Sequence, residues 1–134
     1  MNPPPSKKIL IADDQLYMIR LLEMTLKKGG YEVISCRDGN EALATAAREQ
    51  PQLIVLDLIM PGLDGYGALR QLKENPTTQK IPVIVLSAKG HALTRQETEQ
   101  AGAVQFFTKP FSPIQLLEDI KKIHRNPMSL VVEG

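Results

Sequence analysis

A doubly wound α/β domain, with a parallel sheet and helices on both faces, is the fold this sequence predicts, and two observations carry it. Short apolar runs alternate five times with longer stretches whose apolar residues recur at helical spacing. The run LIVLDL is apolar over nearly its whole length, as strands covered on both faces are, and the intervening stretches are long enough for right-handed helical crossovers.

The first run, KKILIA, makes a strand from Lys8. After Asp13 and Asp14, the residues Met18, Leu21, Leu22, Thr25 and Leu26 trace one face of a helix that Gly29 and Gly30 end. Tyr31 to Ser35 is the second strand, and Asp38 caps a helix whose inner face is Ala42, Leu43, Ala46 and Ala47, ending before Pro51. The third strand starts at Leu53; a loop through Met60, Pro61 and Gly62 leads to a helix through Leu69 and Leu72 that Asn75-Pro76 stops. Ile81 to Ser87 is the fourth strand. The stretch from His91 to Gln100 reads as a helix with only Leu93 and Ala101 facing inward, which makes it the least anchored. Gln105 to Thr108 is the fifth strand, and Pro113 opens a last helix with Leu116, Leu117, Ile120 and Ile123 inside. Residues 1–7, with three consecutive prolines, read as a disordered arm, 8–125 as one domain, and 126–134 as a tail or linker stub.

Sixteen Lys and Arg against 15 Asp and Glu leave a net charge of +1, too little to hold a nucleic-acid backbone. No apolar run approaches the roughly 20 residues that span a bilayer. Cys36 is the single cysteine, which excludes an internal disulfide and suits a reducing compartment. The expectation is a cytoplasmic domain without membrane or direct nucleic-acid contact. His91 and His124 fall on separate helices and are expected to face solvent, so neither suggests a zinc site.

In open parallel sheets ligands bind beyond the carboxyl ends of the strands. There this sequence puts Asp13-Asp14, Asp57, Ser87 and Thr108-Lys109. Singly, most have ordinary uses: an aspartate after a strand caps the next helix, Ser87 is a loop residue, Lys109 a solvated amine. Asp57 differs, because a carboxylate ending an apolar strand is costly unless paired or metal-bound. Three carboxylates in one pocket either keep a proton or bind a hard divalent cation through oxygen, and Mg²⁺ is the natural candidate. With Lys109 it would offset the pocket's charge and hold the oxygens of a phosphoryl group.

IADD at Ile11 to Asp14, LDLIMPGLDG at Leu56 to Gly65, VLSAKG at Val85 to Gly90 and FFTKPF at Phe106 to Phe111 together resemble a bacterial response-regulator receiver domain, similar to the chemotaxis single-domain regulators. The likeness covers roughly Lys8 to Arg125, and it is the ordered set of fragments that makes it specific. It implies a flavodoxin-like sheet of order 2-1-3-4-5 with five helices, and Asp57 as the acceptor of phosphoryl from a sensor histidine kinase or phosphotransfer protein. Asp14 matches a direct Mg²⁺ ligand, Asp13 an outer one acting largely through water, and the backbone carbonyl of Ile59 a further ligand beside Asp57. Lys109 matches the lysine that binds phosphoryl oxygen, Ser87 the hydroxyl that moves toward it, and Phe106 the aromatic rotamer switch. The readout implied is an effector-binding surface of helix four, strand five and helix five, in a monomer or a phosphorylation-dependent dimer. A cis Lys109-Pro110 bond also goes with the family.

Some positions depart from the commoner pattern. Ser87 stands where threonine is more frequent, and Phe106 has no tyrosine hydroxyl, so its switch is purely steric. Ile59 and Lys89 flank the site at variable positions; an apolar Ile59 cannot orient a water, which predicts a long-lived phosphoryl state. Leu16, Tyr17, Met18 and Leu21 are candidates for a kinase-docking face. Catalysis beyond the domain's own phosphorylation and dephosphorylation is not expected. An aspartyl phosphatase would place a second acid two residues after Asp57, where Ile59 stands, and a nucleotide or flavin carrier would need a phosphate loop where DDQLYM stands. A phosphorylation-independent interaction module is the remaining alternative, and the intact acidic set argues against it.

Overall fold

The computed structural model describes residues 7–60, 62–88 and 95–125. Strands β1 (Lys8–Ala12), β2 (Glu32–Cys36), β3 (Leu53–Asp57), β4 (Val83–Ala88) and β5 (Gln105–Lys109) alternate with helices α1 (Leu16–Lys28), α2 (Gly39–Glu49), α3 (Gly65–Glu74), α4 (Arg95–Gln100) and α5 (Pro113–Arg125). All strand pairs are parallel, in the order β2-β1-β3-β4-β5. This is the doubly wound, flavodoxin-like arrangement expected.

Strand alternation divides the core in two. Leu10, Ile54, Leu56, Val83, Val85 and Phe106 face α2 and α3, meeting Ala42, Ala46, Ala68, Leu69 and Leu72. Ile9, Ile11, Val55, Ile84 and Leu86 face α1 and α5, meeting Ile19, Leu22, Leu26, Leu116 and Ile120. The central strands are therefore apolar at every step except where they end. Asp38 caps α2 by accepting from Glu41 N–H at 2.8 Å, and Asp64 caps α3 by accepting from Gly67 N–H at 2.7 Å.

Several expectations need correction. The second strand runs one residue later than Tyr31 to Ser35; Tyr31 is buried just ahead of it. The third stops at Asp57, with buried Leu58 already in the following loop, and the fourth begins at Val83 because Pro82 supplies no N–H to a ladder. Ala47 is exposed; buried Thr45 takes its place on the inner face of α2, since the stripe turns with the 3.6-residue period. His124 does not face solvent: it is half-buried, its Nδ1 2.9 Å from Gln52 Nε2 and its ring edge-on to Tyr31. In α4 the buried residue is Thr98, while Leu93, His91 and Lys89 lie outside the described residues, as do the arm through Ser6 and the tail from Asn126. Among the described residues no helix is long and apolar enough to cross a membrane.

Candidate functional site

Parallel register brings the carboxyl ends of β1, β3, β4 and β5 to one edge: Ala12 lies beside Leu56, Asp57 beside Leu86, and Ala88 beside Lys109. One step beyond, Asp13, Asp14 and Asp57 offer carboxylate oxygens that all lie within 4.8 Å of one another. Asp13 and Asp57 are buried and Asp14 is half-buried. Neither Asp13 nor Asp14 caps α1. Gln15 holds the cap position, and Asp13 Oδ1 accepts from the Gln15 N–H at 2.9 Å.

Lys109 crosses from β5 into this cluster. Its Nζ donates to Asp13 Oδ2 at 3.0 Å, Asp57 Oδ2 at 3.2 Å and Gln15 Oε1 at 3.3 Å. The other oxygen of Asp57 accepts from the Ile59 N–H at 3.2 Å. Burial pushes the Asp57 carboxyl up to about 6, the Asp13 charge adds to this, and the Ile59 N–H and Lys109 only partly oppose it. For Lys109 burial works downward, but hydrogen bonds and charge from Asp13 and Asp57 outweigh it and leave the ammonium above its ordinary value. Three carboxylates against one ammonium leave two negative charges in excess when ionised, the amount that one divalent cation offsets. The donor set is oxygen only, which fits a hard cation such as Mg²⁺.

The structure gathers Asp13, Asp14, Asp57 and Lys109, with Ser87 and Phe106 on the adjoining strands β4 and β5. Ser87 is buried on β4, its hydroxyl donating to the Ala88 carbonyl at 3.3 Å. Phe106 is buried on β5 with the Arg95 guanidinium 5.4 Å from its ring centre. Ile59 is exposed at the rim. The Lys109-Pro110 bond is cis, as the resemblance implied.

Three supporting residues escaped sequence reasoning. Gly65 opens α3 where a Cβ would lie 2.0 Å from the Asp57 carbonyl oxygen, so only glycine lets the helix start against the end of β3. Arg37 donates from its guanidinium to the Asp14 carbonyl at 3.0 Å, tying the β2–α2 loop to the acidic one. Gln15 is the third partner of Lys109. The usable signals were a glycine directly after the Asp64 cap and a glutamine where α1 would ordinarily have Ser or Asp.

Known proteins share this sequence and fold. A sequence model of the response regulator receiver domain matches residues 9–121. The chain is 41% identical over 120 residues to the response regulator PleD of Caulobacter vibrioides, covering 90% of this chain and 26% of PleD. It is 40% identical over 122 residues to the alkaline phosphatase synthesis transcriptional regulatory protein PhoP of Bacillus subtilis, covering 90% of this chain and 49% of that protein. It thus spans about a quarter to a half of the length of these curated relatives. A chemotaxis response regulator of Vibrio cholerae superposes with a TM-score of 0.80 at 28% identity, over 89% of this chain and 99% of that one. The receiver domain of a sensor histidine kinase from Pseudomonas aeruginosa, with a magnesium ion coordinated in its active-site cleft, gives 0.79 at 29% identity, over 88% and 97%. The match over residues 9–121, the relatives at about 40% identity and the shared fold lead to one conclusion: the chain belongs to the response regulator receiver domains.

Proposed function

We propose that Asp57 is the phosphoacceptor of this receiver domain. The observation that carries the proposal is the buried Asp57 carboxylate, held at one oxygen by Lys109 and at the other by the Ile59 N–H, inside a cluster whose carboxylates outnumber its one ammonium three to one. Attack by a carboxylate oxygen on phosphorus forms the acyl-phosphate bond as the bond to the leaving group breaks. That group, imidazole nitrogen from a phosphohistidine or acetate from acetyl phosphate, departs with the electron pair. No general base is needed, because the nucleophile carries no proton when it attacks. Asp14 and Asp57, Asp13 as an outer partner, and the Ile59 carbonyl would hold Mg²⁺, which supplies charge neutralisation to the transferring group. Lys109 orients a phosphoryl oxygen. The domain catalyses only its own phosphorylation and dephosphorylation.

The new phosphate gives the Ser87 hydroxyl an acceptor better than the Ala88 carbonyl, and Phe106 turns into the space vacated. Ser87 and Phe106 lie on the paired strands β4 and β5, and α4 packs on β5, so the α4–β5–α5 surface is the proposed readout for an effector. The donor face is proposed at α1, where exposed Tyr17, next to exposed Leu16 in the chain, borders a groove of about 390 Å³ lined also by Met18, Leu21, Lys109, Pro110 and Phe111. Met18 belongs to the core and Leu21 is half-buried, so Leu16 and Tyr17 supply the protruding contacts for the histidine-bearing helix of a kinase or phosphotransfer protein. Retained phosphotransfer after charge substitution at Leu16 and Tyr17 would remove that assignment.

The decisive experiment is intact mass after incubation with acetyl phosphate and Mg²⁺. A hydroxylamine-labile phosphoryl adduct is expected on the wild type and absent from Asp57→Asn and from an EDTA control. An equal adduct on Asp57→Asn would overturn the assignment. Because Ile59 offers no hydrogen bond to an attacking water, the adduct should persist for minutes or longer once donor is removed, and decay within seconds would contradict this.

A further inference from the structure

Gln15 stands at the N-cap of α1, where Ser, Thr, Asp or Asn would accept a first-turn N–H, yet it makes no capping bond. Its Oε1 is committed elsewhere. It accepts from Lys109 Nζ at 3.3 Å and from the Tyr17 hydroxyl at 3.3 Å.

An ammonium has three N–H donors, and on Lys109 all are taken: by Asp13 at 3.0 Å, Asp57 at 3.2 Å and Gln15 at 3.3 Å. Two of these acceptors are anionic and one is a neutral amide. A phosphoryl donor docking over Asp57 brings a further anionic oxygen before any bond to Asp57 has formed, while both carboxylates still hold their N–H groups. An ammonium N–H is drawn to an anionic oxygen by net charge and to a neutral amide oxygen only by its dipole, so the N–H that turns to the phosphoryl oxygen is the one on Gln15.

We propose that Gln15 is a positioning residue for phosphoryl transfer: its Oε1 is the resident third acceptor of the Lys109 ammonium and yields its place to the oxygen of the incoming phosphoryl group. The inference rests on Asp57 being the phosphoacceptor. Displacement also breaks the route by which the Tyr17 hydroxyl reaches Lys109, so the exposed start of α1 registers the arrival of the donor.

The test uses two substitutions of opposite sense. Gln15→Leu keeps the side-chain volume and removes the acceptor; Gln15→Glu replaces it with an anionic one. Gln15 is exposed and caps nothing, so both variants should fold like the wild type. Beryllofluoride with Mg²⁺, a phosphoryl mimic that is not turned over, is titrated against each ¹⁵N-labelled protein by NMR. The second-order rate of adduct formation from acetyl phosphate is measured by mass in parallel. Gln15→Leu is expected to bind beryllofluoride roughly two- to tenfold more tightly than the wild type, the net range of one long, solvent-exposed hydrogen bond, and to react faster by a similar factor. Gln15→Glu is expected to bind more weakly and react more slowly. A merely structural role would weaken both variants. Equal or weaker beryllofluoride binding by Gln15→Leu overturns the inference even where Asp57 is phosphorylated normally. Absence of any adduct on the wild type overturns the phosphoacceptor reading and this inference with it.

Discussion

At the amino-terminal edge of the sheet, charged groups sit beside partners that satisfy them. Lys8 Nζ is 3.0 Å from Glu49, and Lys73 Nζ donates to the carbonyls of Gln79 at 3.1 Å and Ile81 at 2.6 Å. At the carboxyl edge of the same strands, three carboxylates share one ammonium, and Asp57 is held near 6 against its ordinary 3.8. Burial is no gentler at the first edge, where it lowers the Lys73 ammonium. What differs is charge balance: two carbonyls of its own chain receive the Lys73 ammonium, whereas the acidic cluster keeps more carboxylates than cations among its described partners. Natural proteins confine such imbalance to functional sites and compensate for it elsewhere in the fold.

Substitutions at the two edges should therefore separate stability from ligand binding. Gly65→Ala is expected to have the largest effect, because the new Cβ would meet the Asp57 carbonyl oxygen. Urea unfolding should show a loss of ~3 kcal/mol, and calorimetry should show that Mg²⁺ binding is lost as well. A variant of near wild-type stability would mean that α3 can start elsewhere.

Asp57→Asn should act in the opposite direction. A carboxyl whose value is raised on folding favours the protonated folded state, so ionised Asp57 costs stability above about pH 6 and nothing below the unfolded value of 3.8. In EDTA at pH 7.5 the variant should be about 2 kcal/mol more stable than the wild type, with the gap closing as pH falls from 6 toward 4. Added Mg²⁺ should then raise the melting temperature of the wild type more than that of the variant. A pH-independent gap would show that the acidic cluster carries no excess charge.

Lys73→Met, at the satisfied edge, should cost only ~1 kcal/mol for its hydrogen bonds and leave Mg²⁺ affinity within about twofold. A larger change in affinity would mean that the two edges are coupled through the sheet.

The same asymmetry governs what the sequence revealed. The sheet was legible because doubly covered strands leave uninterrupted apolar runs, and the acidic site because a charge ending such a run has few ordinary explanations. Asp13, Asp14, Asp57, Ser87 and Lys109 all fall at those punctuation points. Gln15 and Arg37 were illegible because each is an exposed polar residue whose partner is distant in the chain; Gln15 reaches Lys109 from 94 positions away. His124 misled for a related reason: its neighbours Gln52 and Tyr31 belong to other elements, and nothing local marks the contact. Ala47 and Thr45 exchanged places because small residues read as inward on either side of a narrow stripe.

The seating of α4 bears on how the protein responds to temperature. Within its six described residues the buried side chain is Thr98, whose hydroxyl donates to the Arg95 carbonyl at 2.9 Å, where α1 buries Met18, Ile19, Leu22 and Leu26. Hydration of exposed hydrocarbon is what gives protein rearrangements a large heat-capacity change. These six residues bury a single threonine, so a shift of them would uncover little hydrocarbon, carry a small heat capacity and drift little between a cold and a warm day, even while the stability of the surrounding domain follows its usual curve.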